Sequence, residues 1–229
     1  MKTVQDFLDG QVLLVDKPLE WTSFQVVNKV RWHIRQAFNL KKIKVGHAGT
    51  LDPLATGLLV ICTGKMTKQI DTFQGQIKTY TGTLVLGSTT PSYDLETAID
   101  QTFPTAHITT ESIHNATGQF IGEIDQFPPI FSALKKEGKR LYEFARAGEE
   151  VKIDSRKVTV TEFKILAIKD TEVDFRVTCS KGTYIRSLAH DFGKALESGA
   201  HLTALRRTKI GAYNVEDAVS IDEFISSLE

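Results

Sequence analysis

The sequence has few cysteines and no clustered metal ligands. Its 229 residues include two cysteines, Cys62 and Cys179, and each stands inside an apolar stretch. Such positions are typical of buried free thiols in a reducing compartment. No set of cysteine and histidine residues has the spacing of metal ligands, so we expect no metal site.

Long apolar runs and a leader sequence are missing as well. The longest uninterrupted apolar run covers residues 58–62, whereas a membrane-spanning helix needs about 20 residues. Residues 1–11 contain neither the apolar core nor the cleavage site of a secretory signal. We therefore expect a cytoplasmic protein that neither spans nor binds a membrane.

Neither sign of charge is in excess. The chain carries 28 lysines and arginines and 28 aspartates and glutamates, which gives a formal net charge of zero. Wholesale electrostatic binding to nucleic acid or to an anionic membrane is therefore not indicated, although a local basic patch is compatible with this balance. The 41% hydrophobic content excludes disorder over the whole chain.

Strands and helices alternate irregularly along the sequence. Strands are predicted at residues 12–15, 58–62, 77–86, 158–168 and 173–179, the last two as a hairpin. This order favours an α+β fold with a mixed, largely antiparallel central sheet flanked by helices. No repeat or flexible linker divides the chain, so we expect a single domain over residues 1–229.

Helical spacing of apolar residues predicts three helices. The first is capped by Ser23, and its apolar stripe consists of Phe24, Val27, Val30, Ile34 and Phe38. The second covers residues 183–196. The last opens with Ser220 and Glu223 in a capping box. Between the strands, residues 126–150 are long, basic and glycine-containing, with a short helical piece, which predicts a mobile insertion.

The segment over residues 46–57 is the most unusual one. It contains three glycines and a proline, which allow tight turns and close approach of a ligand, together with a histidine, a hydroxyl and the carboxylate of Asp52. Viewed alone, the segment favours a structural Asp-Pro turn over a functional site. A phosphate-binding P-loop is excluded because Leu59 and Met66 stand where that motif needs glycine and serine or threonine. No G-x-S-x-G motif of a serine hydrolase occurs.

Two further segments carry charge near predicted element ends. Residues 179–186 join a strand to a helix, and Arg186 lies one residue off the apolar stripe, where its guanidinium can reach the rim of a cleft. Residues 201–208 are basic and exposed by composition. Either segment, taken alone, is typical of a solvated face.

Taken in order, these segments resemble the hallmark motifs of the bacterial tRNA pseudouridine synthase B (TruB) family. The resemblance covers roughly residues 10–215. Its motifs are residues 13–18 (LLVDKP), 46–68 (GHAGTLDPLATGLLVICTGKMTK), 77–80 (IKTY), 128–135 (PPIFSALK), 180–189 (SKGTYIRSLA) and 199–211 (GAHLTALRRTKIG).

This resemblance implies isomerisation of a uridine to pseudouridine at position 55 in the T-loop of tRNA, without a cofactor and without an obligate protein partner. It implies a pseudouridine-synthase fold. The basic composition of residues 126–150 separately predicts that this mobile insertion binds RNA and becomes ordered on it. The resemblance also implies a short form without the C-terminal PUA domain that many members carry. Glu20-Trp21 departs from the pattern, because a glycine-containing pair usually follows the Asp-Lys-Pro turn.

The resemblance further assigns roles to six side chains. Asp52 is implied as the nucleophile, and whether it attacks the uracil ring, attacks the sugar or promotes glycal formation stays open at this point. The implied partners are Arg186, which pairs with the carboxylate; Tyr80, which stacks beneath the target base; Tyr184 and Leu205, which line the pocket; and His47, which helps to fill the space left by the flipped uridine.

The expected chemistry agrees with these residue types. An arginine about 4 Å from a carboxylate supplies roughly 4 kcal/mol of attraction at an effective dielectric constant near 20, before desolvation. Flipping a base costs a few kcal/mol, and stacking on an aromatic ring returns about 1–3 kcal/mol. Two other functions are compatible with the sequence: the same reaction on another RNA stem-loop, and a non-catalytic RNA-folding module.

Overall fold

The computed structural model describes residues 2–228. The strands are β1 (Val12–Lys17), β2 (Val45–His47), β3 (Ala55–Thr63), β4 (Lys78–Leu86), β5 (Ser88–Thr89), β6 (Gln101–Thr102), β7 (Gly122–Gln126), β8 (Lys135–Lys136), β9 (Lys139–Arg140), β10 (Arg156–Lys169), β11 (Glu172–Cys179), β12 (Ala200–Ile210) and β13 (Tyr213–Asn214). The α-helices are α1 (Val4–Asp9), α2 (Ser23–Ala37), α3 (Ile70–Gly75), α4 (Thr110–Ala116), α5 (Leu141–Ala147), α6 (Ile185–Ala195) and α7 (Ile221–Ser226).

The chain packs as two compact units. The first contains the residues up to Tyr80 and those from Leu205 onward, and the second contains Thr81–Ala204. Strands β4 and β12 therefore each contribute residues to both units. The expectation of a single catalytic domain stays a prediction.

In the first unit, β3 is the strand around which the others pair. Strand β1 runs antiparallel to it from Val12 opposite Cys62 to Lys17 opposite Gly57. Strand β2 is also antiparallel to β3, whereas β12 is parallel to it, with Leu205 opposite Ala55. The sheet of this unit is thus mixed. Because β2 pairs with β3, the two ends of the loop that joins them, residues 48–54, are held next to each other.

Helix α2 covers one face of this sheet and differs in two details from its prediction. Val30 and Ile34 are fully buried and Val27 is 2% exposed, as the apolar stripe predicted. The N-cap, however, is Thr22, whose side chain accepts a hydrogen bond from the Gln25 N–H. The predicted cap, Ser23, is the first residue of the helix. Phe24, predicted on the apolar stripe, is 62% exposed because it lies on the opposite face of the helix.

The second unit is an antiparallel sheet with helices packed against it. Its strand order is β4-β11-β10-β7, and β10 and β11 form the predicted hairpin. Buried side chains alternate along both hairpin strands, as the period of two requires. An aromatic cluster joins this sheet to α6; its rings are Phe120, Phe163, Phe175 and Phe192.

Residues 126–150 contain three short secondary-structure elements. The strand pair β8–β9 forms a small hairpin, and α5 confirms the predicted helical piece. Helix α5 ends at Gly148 in the left-handed conformation, with φ 67°, which glycine adopts without strain. That this insertion is mobile stays a prediction.

Several other predictions concern single elements. The C-terminal helix α7 has the predicted capping box of Ser220 and Glu223. Cys62 and Cys179 are both buried, and neither belongs to a disulfide, as predicted. Among residues 2–228, no helix is long and apolar enough to cross a membrane.

Candidate active site

The glycine-punctuated segment ends in a closed turn at the start of β3. The Ala55 N–H donates to the Asp52 carbonyl over 3.1 Å, and Pro53 occupies the second position, where its fixed φ is favourable. The interpretation as an Asp-Pro turn is therefore right for the backbone. The Asp52 side chain is half-buried, which distinguishes it from a solvated surface carboxylate.

Ser23 holds the residue that precedes Asp52. Its side chain is 2% exposed, and its Oγ accepts a hydrogen bond from the Leu51 N–H at 2.8 Å and donates one to the Leu51 carbonyl at 3.1 Å. One hydroxyl thus satisfies both main-chain groups of Leu51. The start of α2 and the Asp52 turn are consequently fixed to each other, which is the kind of support that a catalytic group requires.

A buried ammonium group lies beneath the same turn. Lys17 is completely buried, and its Nζ donates to the carbonyls of Pro18 at 2.8 Å, Trp21 at 2.5 Å and Pro53 at 3.3 Å. Burial lowers the pKa of Lys17 to about 8, and the nearby Asp52 carboxylate opposes this shift. The turn therefore contains a positive charge that acts on Asp52.

Arg207 holds the other end of the segment. Although residues 201–208 were predicted to be exposed, Arg207 is 1% exposed. Its guanidinium donates to the carbonyls of Leu58 at 2.8 Å, Gly49 at 3.1 Å and Thr50 at 3.4 Å. The prediction of a solvated basic face is wrong here, because the carbonyls of an irregular loop need donors inside the protein.

Arg206 has a different environment. Its guanidinium forms a bidentate pair with the Asp16 carboxylate, with N–O distances of 2.6 and 3.0 Å. Successive side chains of a strand point to opposite faces, so Arg206 and Arg207 do not share one face. Of the two arginines, only Arg206 is partly accessible to solvent.

Three other predicted site residues lie in the first unit. His47 ends β2, and burial lowers its pKa, with the positive charge of Arg207 as the second cause. Tyr80 is 8% exposed and is the third residue of β4. Leu205 is half-buried and lies opposite Ala55, the residue that closes the Asp-Pro turn.

In the second unit, Tyr184 occupies the N-cap position of α6. The Gln126 side chain, 1% exposed, binds both main-chain groups of Tyr184: its Oε1 accepts from the N–H at 2.8 Å and its Nε2 donates to the carbonyl at 3.0 Å. The guanidinium of Arg156 lies 4.5 Å from the centre of the Tyr184 ring, in cation–π geometry. The tyrosine is thus fixed by its backbone and its ring.

Arg186 follows in the first turn of α6 and is only 4% exposed, so the alternative of a solvated helix charge is wrong. Its Nη1 donates to the Ser92 carbonyl at 3.1 Å and its Nη2 to the Phe131 carbonyl at 2.9 Å. Its Nε lies 3.6 Å from a carboxylate oxygen of Asp94. The guanidinium is therefore held by a buried ion pair and by carbonyls of two loops.

One turn further along α6, a ring stack reinforces this arrangement. His190 and Tyr93 lie nearly parallel, with ring centres 3.9 Å apart and an angle of 13° between the planes. Tyr93 stands between the two residues, Ser92 and Asp94, that contact Arg186. Burial lowers the pKa of His190 to about 4, and the positive charge of Lys194 contributes to this shift.

Sequence reasoning placed six side chains at the site and missed several that support them. Within the first unit, the structure groups Asp52 with Lys17 and the buried Arg207, neither of which had an assigned role. Asp94 was missed as a partner of Arg186, because the two residues are far apart in the sequence. Asp52 and Arg186 belong to different units, and their pairing stays a prediction.

Comparison with known proteins identifies the family. Residues 35–185 match the family model described as TruB family pseudouridylate synthase (N terminal domain), and residues 186–229 match tRNA pseudouridylate synthase B C-terminal domain. The chain belongs to the TruB family. As a TruB-family pseudouridine synthase it is an isomerase, as predicted.

Individual TruB relatives agree. The chain is 64% identical to tRNA pseudouridine synthase B of Flavobacterium johnsoniae over 99% of this chain and 100% of that protein. It is 56% identical to tRNA pseudouridine synthase B of Phocaeicola vulgatus over 96% of this chain and 93% of that protein.

Solved structures support the fold. The chain is similar to a chain of a Cbf5-Nop10-Gar1 complex (TM-score 0.72, 29% identity, 98% of this chain and 56% of that one). It is also similar to a chain of the archaeal box H/ACA sRNP Nop10-Cbf5 complex (TM-score 0.69, 28% identity, 97% and 54%). The chain thus spans about half the length of these solved chains. The predicted pseudouridine-synthase fold of the α+β class is confirmed.

Proposed function

We propose that this chain converts uridine to pseudouridine at position 55 in the T-loop of tRNA, with Asp52 as the nucleophile. The observation that carries the proposal is the Asp52 turn, in which a half-buried carboxylate is presented from a backbone fixed by Ser23 and by a buried ammonium group. The names of the relatives, which are tRNA pseudouridine synthases, support the choice of tRNA.

The proposed reaction breaks the bond between C1′ of the ribose and N1 of uracil and forms a bond between C1′ and C5. The proton on C5 is lost and N1 gains one, so the product is an isomer and no electrons are exchanged with another molecule. Positive charge develops at C1′ as the first bond breaks. An adjacent carboxylate stabilises this charge, and the same group can form the transient covalent bond of a nucleophilic mechanism.

Asp52 has to be held in place while the base turns. In the proposed mechanism, Lys17 attracts the carboxylate from within the first unit, where its Nζ also binds the Pro53 carbonyl. Arg186 supplies a second cation, which pairs with Asp52 in the working enzyme. Its guanidinium suits this role because it stays protonated and can bind both carboxylate oxygens.

The target uridine has to leave its stack in the T-loop before Asp52 reaches it. In the proposed complex, Tyr80 stacks beneath the flipped base, and Tyr184 and Leu205 line the pocket. His47 helps to fill the space that the uridine leaves in the RNA. Stacking contributes about 1–3 kcal/mol per base, which offsets a large part of the cost of flipping.

Residues 126–150 act as a mobile insertion that becomes ordered on the RNA in this proposal. The segment is rich in exposed cations, which suits contact with phosphates. Limited proteolysis with and without tRNA tests this role. We expect cleavage within the insertion to slow when tRNA is bound, and equal cleavage rates would contradict an ordering role.

The proposed function is tested by incubating the purified protein alone with unmodified tRNA transcript and mapping pseudouridine at base resolution. We expect modification at position 55, and Asp52→Ala is the inactive control. A transcript with cytidine at position 55 controls for the site. Modification of a different stem-loop in a panel of RNAs, with position 55 unmodified, would overturn the choice of substrate.

A further inference from the structure

The positive charge of this neutral chain is unevenly distributed in the first unit. From Trp21 to Leu51 the sequence contains no aspartate or glutamate. The same segment contains six lysines and arginines: Lys29, Arg31, Arg35, Lys41, Lys42 and Lys44. A stretch of this length without a carboxylate creates a local positive potential that the net charge of the chain conceals.

Helix α2 presents part of this charge on one outward face, together with aromatic rings. At 100° per residue, Phe24, Asn28, Arg31 and Arg35 lie within about 60° of one another, and the span from the first to the last is about 16 Å. Trp32 borders this face. The exposed fractions of Phe24 and Trp32 are 62% and 52%, so two aromatic rings are in contact with solvent next to the arginines.

The arginines of this face are oriented but carry no counter-charge. Within residues 2–228, no carboxylate lies at ion-pair distance from any of the six cations. Arg31 donates instead to the Asn28 side chain, and Arg35 to the Leu40 carbonyl at 3.2 Å. A guanidinium has five N–H donors, so each arginine keeps donors for an external acceptor.

This face starts at the Asp52 turn. Ser23, the residue before Phe24, holds both main-chain groups of Leu51, the residue before Asp52. Phe24 therefore directly follows the residue that holds the Asp52 turn, and the arginines lie further along the helix. A polynucleotide that brings one nucleotide to Asp52 has further phosphates and bases on either side of that nucleotide.

We propose that the outer face of α2 binds the substrate RNA on the strand next to the reacting uridine. Phe24 stacks on an unstacked base or its ribose, and Arg31 and Arg35 bind phosphates. The inference rests on the proposed function, which supplies the RNA. RNA fits better than an anionic membrane, because the apolar face of α2 is buried in the core and the outward face holds isolated rings among polar side chains.

The phosphate contacts are tested by the salt dependence of RNA binding. The dissociation constant for unmodified tRNA is measured over a range of salt concentrations in an Asp52→Asn background, so that the RNA is not turned over. For Arg31→Gln/Arg35→Gln, the slope of log K against log salt should fall by about 1 for each arginine removed. The matched control is Lys164→Gln/Lys169→Gln, which removes two exposed cations of the β10–β11 hairpin.

An unchanged slope for the arginine double variant, or an equal change in the control, would overturn the proposal. Anionic phosphatidylserine vesicles form a second arm. Loss of vesicle binding in Arg31→Gln/Arg35→Gln, with RNA binding intact, would assign this face to a membrane and likewise overturn it.

The stacking contact is tested by steady-state kinetics on the tRNA transcript. Phe24→Ala should raise KM about tenfold with kcat nearly unchanged, the effect of one lost base–aromatic stack. Phe24→Tyr should restore KM, which a merely structural role for an exposed residue would not require. Equal KM values for wild type, Phe24→Ala and Phe24→Tyr would contradict the stack. An inactive wild type would instead refute the proposed function itself.

Discussion

The Asp52 turn in the first unit and the start of α6 in the second each hold a charged side chain in place next to a loop. They differ in how the buried charges around that side chain are balanced. At the turn, the cations Lys17 and Arg207 donate to main-chain carbonyls, and Asp52 is itself a counter-charge for Lys17. At α6, the cation Arg186 has its own buried carboxylate, Asp94.

This difference determines how closely stability and chemistry are linked. A residue that neutralises buried charge cannot be replaced without leaving that charge uncompensated. The turn thus uses its proposed nucleophile for structure as well. At the start of α6, the buried charge of Arg186 is compensated by Asp94, which is not the proposed nucleophile.

The largest expected effect comes from neutralising the turn. Asp52→Asn should reduce pseudouridine formation by roughly 10⁴-fold or more, as loss of a nucleophile does in other enzymes. It should also lower the pKa of Lys17 below about 8, because the carboxylate that raises it is gone. Activity is measured on tRNA transcript, and the lysine is titrated by NMR. An Asp52→Asn protein with unchanged Lys17 titration would break the proposed link between chemistry and stability.

The next effect concerns the ion pair of α6. Arg186→Lys removes the fork that reaches two carbonyls and Asp94, and we expect kcat to fall about 10²–10³-fold, as for a lost electrostatic donor. Asp94→Asn should reduce kcat less, and the double variant should be no worse than Arg186→Lys alone, since the pair acts as a unit. Strictly additive losses would show that Asp94 does not act through Arg186.

A smaller effect is expected on stability at the turn. Lys17→Met leaves three carbonyls without their donor, which should destabilise the protein by about 2 kcal/mol and lower Tm by about 4–8 °C. The pKa of Lys17 is about 8 in the folded state, below its usual 10.5, so wild-type stability should rise from pH 8 to 10.5 relative to the variant. Thermal melts at both pH values check this. An unchanged difference between them would contradict the lowered pKa.

The smallest effect lies at the ring stack on α6. Burial depresses the folded-state pKa of His190 to about 4 from its usual 6.5, so the wild type should lose stability as pH falls through this window. His190→Phe keeps a ring against Tyr93 and removes the titration. Between pH 6.5 and 4, we expect the Tm of the variant to rise relative to wild type by about 2–4 °C for each kcal/mol of stability that the wild type loses. His190→Gln, which removes both ring and titration, separates the two contributions.

Periodicity and capping chemistry predicted much of the fold. The hairpin β10–β11, the capping box at Ser220 and the core face of α2 were correct because each depends on residues close in sequence. The helical spacing that included Phe24 in the stripe failed at the helix start. Whether a residue in the first turn is buried depends on the position of the sheet, which the spacing of apolar residues does not reveal.

The candidate site residues were predicted from motifs, but the buried side chains that hold their backbone in place were not. Arg207 was taken for a surface cation because composition alone favours exposure of arginine. Its burial follows from two carbonyls of a distant loop and one of β3 that need a donor, a requirement that exists only after the chain has folded. Gln126 was missed for the same reason, since its amide meets a main-chain residue 58 positions away.

The sequence by itself determined the family and the fold class and predicted the reactive groups, because motif order and local periodicity are properties of neighbouring residues. Only the tertiary structure decided which charges are buried, which carbonyls they satisfy and which face of α2 remains open. Those outcomes depend on desolvation and on partners brought together over long sequence distances, and neither quantity is written in any local segment.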